Sequence, residues 1–159
     1  MKNKNFLKLL AAIVVAESAG IIGSLFTYKS IPTWYAALSK PSFNPPSWLF
    51  APVWTGLFLL MGIAAFLIWK KGLKRRDVKI ALGTFAFQLV LNTLWSILFF
   101  GLHKPLVAFC EIVVLWAAIL WTILLFCKIS KAAAWLLVPY IIWVSFAAVL
   151  NFSLMMLNA

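Results

Sequence analysis

The chain has 159 residues, of which 65% are hydrophobic and only 11% are charged, so a water-soluble globular domain is excluded because its surface could not be kept polar. The formal net charge of +11 would suggest a nucleic-acid partner in a soluble protein. Here the lysines and arginines lie at the ends of apolar segments, so we predict an integral membrane protein that contacts the lipid bilayer and no nucleic acid.

Five apolar segments follow one another along the chain, each of the roughly 20 residues that a membrane-spanning helix requires. We place them at residues 6–28, 48–69, 79–101, 105–127 and 133–157. The basic start of the first segment is similar to a signal peptide, but its apolar run continues through Phe26 and predicts a retained helix. The predicted fold is an all-α bundle of five transmembrane helices that forms a single domain over residues 1–159.

Basic residues are distributed unequally between the two ends of this bundle. Five spans put the N-terminus, the loop between spans 2 and 3 and the loop between spans 4 and 5 on one side, which carries eleven lysines and arginines. The other side carries only Lys29, Lys40 and Lys104. Because basic loops resist translocation, the N-terminus is predicted to be cytoplasmic, with the first loop and the C-terminus outside.

The stretch from Trp34 to Trp54, WYAALSKPSFNPPSWLFAPVW, separates the first two apolar segments. It contains prolines at positions 41, 45, 46 and 52, and Pro32 lies just upstream. Each proline removes a backbone donor and restricts the preceding residue, which predicts a stiff, largely irregular connector. Its aromatic residues suit the boundary between apolar and wet surroundings. We therefore predict a structured lid at the mouth of a membrane-embedded cavity.

Polar residues within the spans mark the faces that turn inward. In span 3 one face carries Gln88, Asn92, Trp95 and Phe99. An amide in hydrocarbon needs a partner, so this face is predicted to meet other helices or a ligand. In span 5 a stripe repeats every four residues, and its proline is predicted to bend the helix: Trp135, Pro139, Trp143, Ala147 and Asn151. Span 2 presents Trp54 and Phe58 on one face.

Each of these patterns has a second interpretation. Trp54, Trp95 and Trp143 fit either a pocket lining or ordinary helix packing, and Gln88 and Asn92 could equally hold helices together. Five other tryptophans are predicted to anchor the protein or contact lipid: Trp48, Trp69, Trp116, Trp121 and Trp135. The two intramembrane acids, Glu17 and Glu111, are candidate functional groups, and Glu17 has no obvious partner. We predict no dedicated metal site, because the chain has a single histidine, His103, with no cysteine or carboxylate at ligand spacing.

Several motifs occur in one collinear order over about residues 18–152. They are WY at 34–35, KPS at 40–42, PP at 45–46, PVW at 52–54, LIWK at 67–70, QLVLN at 88–92 and PYIIWVSFAAVLN at 139–151. In this combination the chain closely resembles the translocator protein family, whose members are also called tryptophan-rich sensory proteins, TspO/MBR proteins or peripheral-type benzodiazepine receptors.

The resemblance implies a five-helix fold, commonly homodimeric, with a ligand cavity among the helices under the first loop. Family members bind porphyrins such as protoporphyrin IX and haem and other hydrophobic small molecules, and some bacterial members degrade protoporphyrin IX in light and oxygen. By position, the ligand-binding residues would be Tyr35, Trp54, Phe58, Asn92, Trp95, Trp143 and Ala147. The loop adds Pro45 as part of the lid, and Trp34 and Lys40 as donors to the porphyrin propionates.

Three functions are compatible with this resemblance. The first is a receptor or sensor that binds a porphyrin; the second is an enzyme in which Trp54 and Trp143 are catalytic in porphyrin photodegradation; the third is a porphyrin transporter. No cofactor is required, since the porphyrin would be a ligand or substrate, and free-base porphyrin is expected to bind without iron ligation. The expected location is a bacterial cell membrane. A sterol role is not expected, because Phe152 replaces the family's tyrosine and no later residue is basic.

Overall fold

The computed structural model describes residues 2–159, and helices joined by short connections make up nearly all of them. The α-helices are α1 (Lys2–Ser30), α2 (Phe50–Trp69), α3 (Arg76–Ser96), α4 (Pro105–Ile129), α5 (Lys131–Leu136) and α6 (Val138–Leu157). With their flanking turns they form five segments long and apolar enough to cross a membrane. The predicted all-α fold with five transmembrane helices is confirmed.

Two helices end in wider π-helical turns on the same side of the bundle. Ile31–Tyr35 continues α1 well past the predicted 6–28, and Ile97–Gly101 continues α3. Pro32 has no N–H for a regular helical hydrogen bond, which favours the wider turn after α1. In the second turn the Leu102 N–H donates to the Ile97 carbonyl at 2.8 Å. Such turns change the direction in which the following side chains point.

The first loop is much shorter than predicted. Only residues 38–46 are non-helical, because Trp34 and Tyr35 belong to the π-helical turn and Ser47–Leu49 forms a 3₁₀ turn that leads into α2. Pro52 is accommodated in the first turn of α2, where a backbone N–H has no helical partner to lose. The prediction of a largely irregular connector from Trp34 to Trp54 is therefore wrong.

The loop 38–46 is held in place by side-chain hydrogen bonds. Tyr35 Oη donates to Asn44 Oδ1 at 2.5 Å. The Asn158 side chain, at the end of α6, accepts from the Ser39 N–H at 2.8 Å and donates to the Ser39 carbonyl at 2.9 Å. The loop is thus tied both to the end of α1 and to the C-terminal end of the bundle.

Contacts between helix ends show which connections share a side. Ser30, at the end of α1, donates from Oγ to the Phe100 carbonyl at 2.5 Å, and Asn158 bonds Ser39. At the opposite end, Lys8 Nζ lies 5.8 Å from the centre of the Trp69 ring. The two unequal groups of basic residues therefore lie at opposite ends of the bundle, and the cytoplasmic position of the more basic end stays a prediction.

The fifth span is interrupted near Pro139, as its sequence predicts. The α-helical hydrogen bonding breaks at Leu137, between α5 and α6, and Pro139 lies in the first turn of α6. A proline ring clashes with the carbonyl one turn earlier and removes the hydrogen bond to it. The interruption separates the short α5, which packs against α2, from the α6 segment that carries Trp143 and Asn151.

The backbones of α1 and α2 approach each other closely at Gly62. A Cβ atom placed on Gly62 would lie 2.6 Å from the Ile13 Cα, so the two backbones leave no room for a side chain. Small residues permit such approaches between membrane helices. Nearer the loop, a side chain fills the space between α1 and α2, because the Phe58 ring packs directly on Gly20.

We expect Gly62→Ala to destabilise the bundle by about 1–3 kcal/mol, because the added methyl group overlaps backbone atoms of α1. Gly56→Ala, in the same helix, is the matched control, since nothing lies within 4 Å of its added Cβ. The control should be neutral or stabilising by up to about 1 kcal/mol. Denaturant titration in detergent micelles measures both changes, and equal stabilities for the two variants would contradict the α1–α2 contact.

Candidate functional site

A cavity of about 330 Å³ lies among α1, α2, α3 and α6, in the half of the bundle nearer the loop. This volume falls at the lower end of the roughly 300–1,000 Å³ of small-molecule sites. Most of its wall is apolar, and ten aromatic residues contribute to it: Tyr28, Tyr35, Phe50, Trp54, Phe58, Trp95, Phe99, Phe100, Trp143 and Phe146.

The cavity is covered at its outer end and open at one side. Phe43 of the loop packs edge-on against Phe146 of the wall, with ring centres 6.3 Å apart. Between α1 and α2 the wall includes strongly exposed residues, among them Ile21 at 61% and Tyr28 at 80% exposure, together with Thr55. The opening therefore faces the surroundings of the bundle, which in a membrane are the lipid chains.

One side of the cavity is a stack of aromatic rings on α2. The Trp54 and Phe58 rings lie 5.6 Å apart at 29°, as their spacing of four residues predicts. Trp54 also meets the Tyr140 ring of α6 edge-on at 6.3 Å. Such contacts fix ring orientation, so this side presents a preformed aromatic surface.

Trp95 is held rigidly on the opposite side. Its Nε1 donates to Asn151 Oδ1 at 3.1 Å, and its ring stacks on Phe99 with centres 5.2 Å apart. Asn151 in turn donates from Nδ2 to the Pro105 carbonyl at 2.9 Å, which connects α6 to the start of α4. The indole plane is thus set by contacts within α3 and across to α6.

The two amides of α3 have different roles. Asn92 donates from Nδ2 to Tyr140 Oη at 3.0 Å, and Tyr140 Oη donates to Gln88 Oε1 at 2.8 Å. Gln88 is fully buried beneath the cavity and also approaches the Met61 sulfur at 3.9 Å, so it serves helix packing. Asn92 has two roles, because it joins α3 to α6 through Tyr140 and also lines the cavity.

The structure brings seven of the nine predicted ligand-binding residues into the cavity wall. They are Tyr35, Trp54, Phe58, Asn92, Trp95, Trp143 and Ala147. Trp54 and Trp143, the two residues with proposed catalytic roles, both lie near Phe50. Phe50 precedes Trp54 by one turn of α2, and its ring centre lies 6.3 Å from that of Trp143. That these residues contact a ligand stays a prediction.

Trp34 and Pro45 are not in the cavity wall. The π-helical turn directs Tyr35 inward, whereas Trp34 stacks on His103 with ring centres 4.4 Å apart. His103 has a left-handed backbone with φ of 52° and also shares a hydrogen bond of 3.1 Å with Ser30 Oγ. Lys40 is likewise absent from the wall, and its Nζ donates to the Ala36 carbonyl at 2.9 Å and to the Leu38 carbonyl at 3.0 Å.

Several wall residues were not predicted. Phe50 lies four residues before Trp54, and Phe146 lies three residues after Trp143, so helical spacing could have identified both. Phe100 enters the wall together with Phe99 through the π-helical turn, which no spacing rule for a regular helix anticipates.

The two intramembrane acids lie in different surroundings. Glu17 lines the cavity. Glu111 is buried outside the cavity wall, and within residues 2–159 neither of its carboxyl oxygens has a hydrogen-bond partner. The described part of the chain contains no cluster of three or more histidine, cysteine, aspartate or glutamate residues that could bind a metal. Trp48, Trp121 and Trp135 are exposed on the outside of the bundle.

We expect Tyr140→Phe to lower the free energy of unfolding by about 1–2 kcal/mol, because Asn92 and Gln88 both lose a buried hydrogen-bond partner. Tyr28→Phe is the matched control, since Tyr28 is 80% exposed. Denaturant titration in micelles tests both. A Tyr140→Phe protein as stable as the Tyr28→Phe control would contradict this network.

Comparison with known proteins agrees with the five-helix membrane fold. The family model described as TspO/MBR family matches residues 11–157. The tryptophan-rich protein TspO of Chlorobaculum tepidum is 47% identical over 98% of this chain and 99% of its own length. The translocator protein of Ovis aries is 36% identical over 87% of this chain and 83% of its own.

The tryptophan-rich sensory protein of Cereibacter sphaeroides is a third relative, 38% identical over 79% of this chain and 77% of its own length. These relatives come from two bacteria and a mammal, and their alignments reach across most of the described helices. The family match covers the region that carries the motifs, from Trp34 to Asn151, and is consistent with the five membrane-spanning helices. On this evidence the chain belongs to the TspO/MBR family of integral membrane proteins.

Proposed function

We propose that this TspO-type membrane receptor binds a porphyrin, such as protoporphyrin IX or haem, in the cavity among α1, α2, α3 and α6. The observation that carries the proposal is the arrangement of three tryptophans, Trp54, Trp95 and Trp143, in the wall of one preformed cavity. Indole faces stack on flat conjugated rings, and each such pair contributes about 0.5–1.5 kcal/mol beyond the burial of apolar surface.

The shape of the cavity suits a flat ligand that is not fully enclosed. A substituted tetrapyrrole is larger than the cavity volume of about 330 Å³, so part of the macrocycle would remain in the opening between α1 and α2. That opening faces the lipid chains, from which a hydrophobic ligand can enter without crossing water. The loop 38–46 would close the outer end over the bound ligand.

Binding of the ring would not depend on iron. Among the described residues of the cavity wall there is no histidine or cysteine, the side chains that most often ligate haem iron. The affinity would come from stacking and apolar contact, which protoporphyrin IX and haem share. We therefore expect both to bind, with the porphyrin as ligand and no separate cofactor.

The same proposal extends to the surroundings of the protein. We propose that it resides in a bacterial cell membrane with the more basic end of the bundle in the cytoplasm, which puts the loop 38–46 outside. Labelling of a cysteine introduced at Lys74 or at Ser42 with a membrane-impermeant maleimide would test this in a protein whose exposed Cys110 and Cys127 are both replaced by serine. Only the Ser42 variant should react in intact cells. A homodimer, as expected from the family, stays a prediction.

We expect Trp95→Leu to weaken binding of protoporphyrin IX by about 2- to 10-fold, because a stacking surface in the wall is lost. Trp135→Leu is the control, since Trp135 is 71% exposed outside the cavity. Quenching of tryptophan fluorescence in non-ionic detergent, in the dark, measures both affinities. Equal weakening in the two variants, or no saturable quenching in the unaltered protein, would refute binding in this cavity.

A second candidate function is photodegradation of the bound porphyrin with dioxygen as the oxidant. It is favoured by the position of Trp54 and Trp143, which both line the cavity and could donate electrons to an excited macrocycle beside them. Acid–base or nucleophilic chemistry finds less support, because Glu17 is the only acidic or basic side chain in the described wall.

For this second function we expect Trp54→Phe combined with Trp143→Phe to abolish protein-dependent bleaching of protoporphyrin IX under light, while binding in the dark weakens only modestly. Phenylalanine keeps an aromatic face but is much harder to oxidise than indole. The absorbance spectrum during illumination, with and without dioxygen, is the measurement. Undiminished bleaching in the double variant would exclude a catalytic role for the two tryptophans.

A further inference from the structure

Glu17 is an acid near the centre of a membrane-spanning helix and in the wall of the cavity. It lies on the same face of α1 as Gly20, Ser24 and Ile31, which also line the cavity. From Glu17 to Ile31, near the loop, the helix rises by about 21 Å at roughly 1.5 Å per residue. The carboxyl group therefore belongs to the deep end of the cavity, far from the outer surface.

Aromatic rings line the cavity about one turn of α1 from this acid. The Phe58 ring packs on Gly20, one turn of α1 beyond Glu17, and Trp54 stacks on Phe58 at 5.6 Å. Asn92, which also lines the deep half, is held by its hydrogen bond to Tyr140. The deep end thus combines one carboxyl group, one amide and the faces of two aromatic rings.

Among the described residues, the Glu17 carboxyl group has neither a hydrogen-bond donor nor a cation as a partner. The one ion pair found among the described side chains joins Arg75 to Asp77, outside the cavity, and none involves Glu17. A carboxylate removed from water is costly unless a cation or a hydrogen-bond donor accompanies it. Glu17 is only partly buried, but its carboxyl group has no partner in a cavity at membrane depth, which favours a ligand that brings such a partner.

We propose that Glu17 is a specificity-determining residue that selects flat aromatic ligands with an amine or another N–H donor at their deep end and rejects a carboxylate there. A cation is attracted both by the carboxylate and by the nearby aromatic faces. An anion is repelled by the carboxylate and gains nothing from the aromatic faces. This inference rests on the proposed function, namely that the cavity binds flat aromatic molecules.

For a porphyrin, the selection fixes the orientation of the ring. The propionates are excluded from the deep end and lie outward, under the loop 38–46 or in the opening between α1 and α2. A porphyrin has no donor at its rim, because its pyrrole N–H groups point into the centre of the ring, so for this ligand Glu17 acts only by excluding the propionates. Glu17 thereby distinguishes the two ends of a cavity whose aromatic lining alone would accept either orientation.

Three ligands with the same four-ring body test the proposal: pyrenemethylamine, which is cationic, pyrenemethanol, which is neutral, and pyreneacetate, which is anionic. Binding is measured by energy transfer from tryptophan to pyrene in non-ionic micelles, with empty micelles correcting for partitioning. We expect the amine to bind about tenfold or more tightly than the acetate. The protein's net charge of +11 acts in the opposite direction, so it cannot produce this preference.

In Glu17→Gln the amine and the acetate should bind within about threefold of each other, because the charge is lost and the shape is kept. Glu111→Gln is the matched control, since it alters the other intramembrane acid, which is not in the wall, and should retain the preference. If Glu17→Gln does not fold, Glu17→Ala removes the carboxyl group in its place.

The outcomes separate this inference from the function on which it rests. Binding of all three ligands with equal affinity, or an amine preference that survives in Glu17→Gln, overturns the role of Glu17 and leaves the cavity as the binding site. Failure of pyrenemethanol to bind, together with unchanged energy transfer in Trp95→Leu, overturns both proposals.

Discussion

Hydrocarbon offers no hydrogen bonds, so the buried amide side chains of a membrane bundle are stabilised by partners on neighbouring helices. In this protein that constraint sets the rotation of α3 and α6. Tyr140 bridges Gln88 and Asn92, and Asn151 joins Trp95 to the start of α4. Once these bonds are made, Trp95 and Trp143 face the same space. The aromatic wall of the cavity is thus a consequence of polar groups that are themselves mostly hidden.

The cavity lies on the loop side of a close contact between α1 and α2. Ile13 and Gly62 are in backbone contact, whereas nearer the loop Phe58 intervenes and the two helices bound an open space. Large side chains on α2 hold this space open, and small residues on α1 leave room for it. The loop 38–46 covers the outer end through Phe43 and is secured by Asn158. A ligand therefore meets a preformed wall, a covered end and a side that faces lipid.

The regular helices made much of this site predictable. A spacing of four residues correctly predicted that Trp54 and Phe58, and likewise Trp143 and Ala147, share an inward face. In α3 the spacing of the polar residues predicted the same for Asn92 and Trp95. Prediction failed where the helical period changes, because the π-helical turns leave Trp34 outside the wall, although Tyr35 lies in it as predicted, and add Phe100 to it. It also missed Tyr140, whose partners lie about 50 residues away in the chain and can be found only in three dimensions.

The most direct test of the binding site is a crystal structure of the protein with zinc protoporphyrin IX, with anomalous scattering recorded at the zinc absorption edge. The metal then marks the centre of the macrocycle without reliance on the shape of the density. The account predicts a single strong peak between α1 and α2, flanked by Trp95 and Trp143. A peak on the outer surface of the bundle, for example beside Trp135, with the cavity empty, would contradict it.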